Sequence, residues 1–384
     1  MQALSQAIGF DISQWPETIP KFTPLYAFDW QKAWKGQHPT LHTDITVQAA
    51  AWHGKITDLQ VLWPWSKPWH EPESYATDWK AATRTLVWKL IYGLAFLVSA
   101  FMATHNLRAG RGDRRGAWRL SVAFFLLMGT TWLCSAHWVA DISMTQIFVT
   151  NASDWFTSAA LIWLLYIALE PAVRARWPHA ILTWSRVLAG RWQDAQVAAH
   201  VLYGALVGLI ITALFLVAQW FQISHGSGFS TTNAEVGLSA RHWMADVLGR
   251  AYGAAEFGLL VVFAIFCFRA VCRKDWIASV AAAVFFTLEE SDVWQGNMLL
   301  LNFLFFLGIF SLLVFVLLRL GLVSTMAALF FVNLLLRIPG AQGLTQPYES
   351  AVVTYPALLL AIVIWAFWRT SGQQLMTITP EERS

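Results

Sequence analysis

Two histidine–aspartate pairs are the residues in this sequence whose types and spacing best suit metal chemistry. The segments SAHWVAD and SARHWMAD each carry a histidine followed four residues later by an aspartate. Residues at this spacing share one face of a helix, and imidazole nitrogens and carboxylate oxygens are ordinary zinc ligands. If the segments are neighbours, His137, Asp141, His242 and Asp246 form a metal site. Alternatively, each histidine bonds its own aspartate at a helix end near the membrane surface.

Glu256 is a second candidate because it falls inside an apolar block. An ionisable side chain within a membrane span is a functional candidate by default, since its charged form is costly in hydrocarbon. Two plainer interpretations stay open: Glu256 pairs with Arg250, or it faces water outside the membrane.

A third candidate is the basic segment LEPAVRARWPHAILTWSRVLAGRW, which carries Arg174, Arg176 and Arg186. Its amphipathic stretch AILTWSRVL and its arginines are typical of a helix that lies on the inner leaflet, near anionic lipid. The alternative is a docking surface for a cytoplasmic partner.

The composition indicates which elements must hold these residues. The chain has 384 residues, of which 57% are hydrophobic and 13% charged, and a mean hydropathy of +0.49. Soluble domains carry about 25% charged residues. About 20 apolar residues are needed to cross a bilayer, and the apolar blocks predict nine transmembrane helices. They are placed near 86–104, 120–140, 151–169, 201–220, 251–268, 276–288, 298–318, 320–336 and 351–368, with Arg319 and Gly321 dividing two of them.

The distribution of basic residues predicts the orientation of these spans. Fifteen lie in one set of connections and in the tail, whereas the alternate connections hold only Arg241, Arg250 and Arg337. Because cytoplasmic loops are enriched in lysine and arginine, the first set is expected in the cytoplasm, with the chain in the inner (cytoplasmic) membrane. The N-terminus is then outside and the C-terminus inside. No partner of nucleic-acid type is expected.

The glycine- and arginine-rich stretch NLRAGRGDRRGAWR lies in that first set and is predicted to be a cytoplasmic turn. A nucleotide-binding loop would need GxGxxG after a strand. Here Gly110 and Gly112 fit the first two positions, but Arg115 occupies the third. The preceding element is predicted to be a lipid-facing helix.

Residues 1–83 predict a small α+β module outside the membrane, before a transmembrane domain over 84–370 and a cytoplasmic tail over 371–384. Within the module, 30–34 is expected to form a short helix. The alternation in 44–52 predicts a strand, and His53-Gly54 a turn into a second strand near 56–63. The fold class is thus an all-α polytopic membrane protein with a small N-terminal α+β module.

Several segments resemble the membrane-embedded C-terminal region of certain bacterial serine/threonine protein kinases. They are the basic segment above, NLRAGRGDRRGAWRL, the closing YESAVVTYPALLLAIVIWAFWRT, and AAAWHGK with the Trp-Pro-Trp that follows. In those kinases a cytoplasmic catalytic domain and one span come first, which implies a further span and domain upstream here. The resemblance implies no ligand.

The kinase motifs themselves have no counterpart in the sequence, which contains no HRD, DFG, APE or VAIK element. Phosphoryl transfer requires the base, metal-holding aspartate and phosphate clamp that these motifs supply. The chain is therefore expected to be a sensory, regulatory or anchoring membrane region without catalysis of its own, with the bilayer and a cytoplasmic kinase domain or other signalling protein as partners. The alternative is a stand-alone membrane enzyme or transporter that uses the His/Asp groups. The sequence identifies no cofactor.

Overall fold

The computed structural model describes residues 5, 8–24, 28–39, 41, 43–64, 66, 79–138, 141–224, 239–290, 293, 298–338 and 350–376. The chain forms two compact units, Met1–Leu90 and Ile91–Ser384. The division falls within the first described helix.

The N-terminal unit contains an antiparallel sheet of four described strands in the order β1-β2-β3-β4. The strands are β1 (Glu17–Thr18), β2 (Trp30–Gln37), β3 (Asp44–Trp52) and β4 (Lys55–Leu62). His53 and Gly54 join β3 to β4 with positive φ angles of 48° and 76°, as a two-residue hairpin turn requires. The predicted strands and turn are confirmed.

The helix expected at 30–34 is wrong, because these residues begin β2. All eight residues of β2 pair with β3, so tertiary pairing outweighs a weak local helix preference. Gly36 is required in this strand because the Trp15 ring lies over it, and a Cβ there would be 2.2 Å from a ring carbon. Trp34 and Val47 pack with Ile12 in the small core.

Ten helices are described in the rest of the chain. They are α1 (Trp79–Arg108), α2 (Arg114–Ser135), α3 (Ser143–Arg176), α4 (Pro178–Leu188), α5 (Ala195–Ser224), α6 (Ala240–Cys272), α7 (Asp275–Glu289), α8 (Leu299–Leu320), α9 (Leu322–Leu335) and α10 (Ser350–Met376). All nine predicted span positions coincide with one of these helices. The first six residues of the expected tail extend α10.

Six of the described helices, namely α2, α3, α5, α6, α8 and α10, are long and apolar enough to cross a membrane. The prediction of nine spans is not confirmed. Helices α7 and α9 have 15 and 14 residues, about 21–23 Å at 1.5 Å per residue, against ~30 Å of hydrocarbon. Leucines such as Leu206, Leu209 and Leu216 on α5 are exposed. An apolar surface of this kind is typical of lipid contact.

The short helix α9 lies in the centre of the bundle, against α5, α6 and α8. Gly321, with a φ of 92°, ends α8 and starts α9, which confirms the predicted break. Gly204 and Gly208 allow α5 to approach α9 closely. A Cβ on Gly204 would be 2.5 Å from both the Ala327 Cβ and the Ser324 carbonyl oxygen. Glycines four residues apart serve this purpose in membrane helices.

Candidate functional site

The two histidine-bearing segments are brought together where α2 ends and α6 begins. Ser239 caps α6 by accepting a hydrogen bond from the His242 amide at 3.2 Å, and its hydroxyl lies 2.7 Å from His242 Nδ1. His137 follows the last turn of α2, and its ring centroid is 5.6 Å from that of His242. The two histidine rings are therefore neighbours, which is the condition that the site hypothesis requires.

The two aspartates have separate roles. Asp141 is exposed and accepts a hydrogen bond from the Ser143 amide at 2.8 Å, at the start of α3. The Ser143 hydroxyl and amide lower the pKa of Asp141 below its ordinary value by stabilising the carboxylate. Neither histidine bonds its own aspartate through a contact among these described groups: the Nδ1 of His242 meets Ser239, and Asp246 bonds elsewhere.

Asp246 joins three parts of the bundle. Its carboxylate accepts a hydrogen bond from the Tyr355 hydroxyl of α10 at 2.8 Å and from Nε and Nη2 of Arg250, both at 3.3 Å. Arg337, just after α9, places its Nε 3.9 Å away. The ring of Trp243 stacks on that of Tyr355 at 6.0 Å. The Asp246 side chain is 11% exposed, so these contacts replace most of its hydration.

These contacts assign Asp246 to an ion network and Asp141 to a helix start. Among the residues that the structure describes, no group of three or more histidine, cysteine, aspartate or glutamate side chains is arranged to hold a metal. The four-ligand site stays a prediction, for which the structure supplies the His137–His242 pair. We call the region formed by His137, 239–250, Arg337 and Tyr355 the histidine end.

The sequence analysis missed Tyr355 and Arg337. The Asp246–Arg250 pair has the i, i+4 spacing that a sequence reveals. Tyr355 is 109 positions from Asp246, and the sequence carries no signal for a contact at that separation.

Glu256 lies half-buried in the middle of α6. Arg250 forms its ion pair with Asp246. Among the residues that the structure describes, none forms an ion pair or hydrogen bond with the Glu256 carboxylate. The proposed pairing of Glu256 with Arg250 is therefore wrong for this structure.

The opposite ends of the same helices form an arginine-rich region. Asp275, the first residue of α7, pairs with Arg269 of α6 and lies 3.4 Å from Arg176 of α3. Glu170, whose side chain is 6% exposed, pairs with Arg174 at 2.6 Å. We call the region formed by 106–119, 167–194 and 269–275 the arginine end.

The amphipathic helix α4 belongs to the arginine end and packs on the bundle. Its Thr183 and Trp184 are buried, and the Thr183 hydroxyl lies 3.1 Å from Nδ1 of His200 in α5. Arg186 pairs with Asp194 at 2.9 Å. The helix contacts α3, α5, α8 and α9, so this face is covered by protein. Arg186 is consequently a structural ion-pair partner, whereas Arg174 and Arg176 keep more than half of their side-chain surface exposed.

The turn predicted over the glycine-rich stretch is observed over 109–113, between α1 and α2, and it ends in a helix cap that the sequence analysis did not predict. Gly110 and Gly112 have positive φ angles, and the Asp113 carboxylate caps α2 by accepting a hydrogen bond from the Gly116 amide at 2.9 Å. The Asn106 side-chain amide donates to the carbonyls of Ile167 and Ala168, which ties α1 to α3.

With both ends described, the chain was compared with known proteins. No protein-family model, curated protein or solved structure matches it. The resemblance to kinase membrane regions therefore stays a prediction.

Proposed function

We propose that this chain is a multi-pass regulatory or anchoring module of a bacterial inner membrane, and that it catalyses no reaction itself. The observation that supports this most directly is that the single helix α6 takes part in an ion network at each of its ends. Asp246 and Arg250 belong to the histidine end, and Arg269 belongs to the arginine end. Rigid secondary elements can carry energetic coupling between distant sites, and α6 is the element that both networks share.

In this proposal the arginine end faces the cytoplasm, and the N-terminal module and histidine end face outside. The support is the fifteen-to-three distribution of basic residues. Alkaline phosphatase fused after residue 230 should be active, whereas a fusion after residue 113 should be inactive. The reverse pattern would overturn the orientation.

The exposed guanidinium groups of Arg174 and Arg176 are the surface we assign to a cytoplasmic kinase domain or other signalling protein. A direct experiment reconstitutes the purified chain in lipid nanodiscs and adds a purified bacterial serine/threonine kinase domain. Phosphate transfer to a test peptide is measured with the wild type, with Arg174→Glu/Arg176→Glu, and with Arg273→Glu/Lys274→Glu as a control that changes the charge by the same amount at the same end.

We expect the wild type and the control to change the kinase rate several-fold and the double variant to have lost this effect. The chain alone should transfer no phosphate. An unchanged rate with the wild-type chain would remove the kinase-related part of the proposal. Phosphate transfer by the chain alone would overturn the non-catalytic part.

The alternative is a metal-dependent membrane enzyme or transporter, and the proximity of the two imidazoles is the observation in its favour. It predicts bound zinc in the purified wild type and its loss in His137→Ala/His242→Ala. Elemental analysis after dialysis against zinc distinguishes the two, because the regulatory proposal expects the same metal content in both proteins.

A further inference from the structure

Glu256 lies in the apolar stretch of α6 between Arg250 and Arg269. It is six residues, about 9 Å, from Arg250 at the histidine end and thirteen residues, about 20 Å, from Arg269 at the arginine end, at 1.5 Å per residue. This helix is one of the six that are long and apolar enough to span a membrane. A carboxylate at this depth is costly unless something compensates its charge.

Nothing in the described part of the chain compensates that charge. The helices that pack most extensively against α6 are α2, α3, α7 and α9, and side chains of α8 and α10 also contact it. Their titratable and charged groups are Arg114, Arg115, Arg119 and Cys134 of α2, Asp154, Tyr166, Glu170, Arg174 and Arg176 of α3, Asp275 and Glu289 of α7, Arg319 of α8, and Tyr355 and Arg369 of α10. Helix α9 carries none. On α6 itself they are Arg241, His242, Asp246, Arg250, Tyr252, Cys267, Arg269 and Cys272. None of them forms an ion pair or hydrogen bond with Glu256.

The face of α6 that leads from the histidine end to Glu256 is poor in side chains. His242, Gly249, Gly253 and Glu256 follow one another at intervals of seven, four and three, which places them along one face. A Cβ on Gly253 would have no heavy atom within 4 Å, and a Cβ on Gly249 would be 3.6 Å from its nearest neighbour, Thr131 of α2.

Other faces of the same helix are more closely packed. Gly258 packs on α9, where a Cβ would be 3.1 Å from a Met326 side-chain carbon. Among the three positions, open space is found at Gly253, which lies three residues from Glu256 toward the histidine end.

The small number of potential ligand side chains around Glu256 indicates which ligand the site can bind. Metal cations need several oxygen or nitrogen ligands, and the described residues hold no group of three or more such side chains. A proton neutralises a carboxylate without any further ligand. We propose that Glu256 is a proton-binding site, reached from the histidine end along the α6 face that carries Gly249 and Gly253. This site does not depend on the kinase-related function.

The first experiment tests for the bound proton with dicyclohexylcarbodiimide, which partitions into lipid and reacts with protonated carboxyl groups. The carboxyl proton moves to a carbodiimide nitrogen while the carboxylate oxygen adds to the central carbon, and an acyl shift gives a stable N-acylurea. With the full chain in nanodiscs, mass spectrometry should find the adduct on Glu256 at acidic pH and less of it at alkaline pH. Glu256→Gln should lack this adduct, and Asp154→Asn, which removes another acid within a span, should retain it.

The second experiment tests the route with a water-soluble carbodiimide and an amine as trapping reagent. Gly253→Leu places a side chain in the open space, so we expect it to slow trapping at Glu256 several-fold while the lipid-soluble reagent reacts as before. Leu260→Phe adds bulk one turn away toward the arginine end, and Gly308→Leu adds bulk to α8 where a Cβ also meets no atom within 4 Å. Neither should slow trapping.

Two results would overturn the proposal. Absence of the lipid-soluble adduct at every pH, in protein that elutes as a folded species, would show that Glu256 holds no proton. Trapping that is slowed by Leu260→Phe and unaffected by Gly253→Leu would place the route at the arginine end.

Discussion

The histidine end and the arginine end use the same types of charged side chain in two different ways. At the histidine end a single carboxylate, Asp246, serves Arg250, Arg337 and Tyr355, which belong to three separate parts of the chain. At the arginine end, Glu170, Asp194 and Asp275 divide five arginines among them in smaller groups.

This difference decides how much the loss of one charge costs. A buried carboxylate that several cations share leaves all of them uncompensated when it is removed. An exposed pair is solvated by water when it breaks and contributes little. Asp246 should therefore be sensitive to substitution, whereas Asp275, the exposed carboxylate of the arginine end, should tolerate it. Glu170 and Asp194 are buried to a degree similar to Asp246, so this contrast applies to Asp275.

Asp246→Asn should have the largest effect. It keeps the side-chain shape but removes the negative charge that Arg250 and Arg337 share, and the breaking of a buried pair costs ~3 kcal/mol. Unfolding of the purified chain in mixed micelles by increasing detergent measures this change. Asp141→Asn, at an exposed position, is the control, and equal losses in the two variants would refute the contrast between a shared and a local carboxylate.

Tyr355→Phe should have the next largest effect. It removes the 2.8 Å hydrogen bond to Asp246 while preserving the ring that stacks on Trp243, and a hydrogen bond to a charged group is worth ~2 kcal/mol. In a cycle with Asp246→Asn, the double variant should lose less than the sum of the two single losses, since both act on one network. Full additivity would show that the hydroxyl contributes independently of the carboxylate.

Asp275→Asn tests the arginine end. Its side chain is 43% exposed and the Arg176 side chain 56% exposed, so water replaces the lost contacts and the loss should be below ~1 kcal/mol. The same detergent titration measures it. A loss as large as that of Asp246→Asn would mean that the two ends are held together in the same way.

The smallest expected effect is the loosening of the start of α3 in acid, when Asp141 becomes protonated. Ser143 lowers the pKa of this carboxyl in the folded chain, so ionised Asp141 supports the start of α3 above its unfolded pKa of ~3.9. That support is lost as the pH falls through the lower, folded pKa. Hydrogen exchange at the Ser143 amide should therefore accelerate only in strong acid, beyond the intrinsic pH dependence. In Asp141→Asn this additional change should be absent, and its persistence would exclude Asp141 as the cause.

The helical part of the fold could be predicted from the sequence because a span is a local property: twenty apolar residues have few other conformations in lipid. The break at Gly321 and the turn at His53-Gly54 were predictable for the same reason, since each is set by adjacent residues. The strand at Trp30–Gln37 was not, because it depends on pairing with β3.

In the candidate site, too, relations between nearby residues could be predicted from the sequence, and contacts between packed helices could not. His137 and His242 could be proposed as a pair because the two segments have similar sequences. The i, i+4 relation of Asp246 to Arg250 could be predicted because it is local. The contacts of Asp246 with Tyr355 and Arg337 arise only when α6, α9 and α10 pack. The sequence also could not show that Glu256 has no ion-pair partner among the residues that the structure describes, since Arg250 is close enough along the helix to supply one.

The burial of α9 has a consequence for how the protein is made. Its surface is matched to α5, which Gly204 and Gly208 shape, and to α6 at Gly258, and both helices precede it in the chain. Because the chain is synthesised from its N-terminus, α5 and α6 are made before α9. This short apolar helix can therefore pack into the groove that they form as it enters the membrane, without first being surrounded by lipid alone. A circular permutation that made α9 the first helix translated would deprive it of that groove at the moment of insertion.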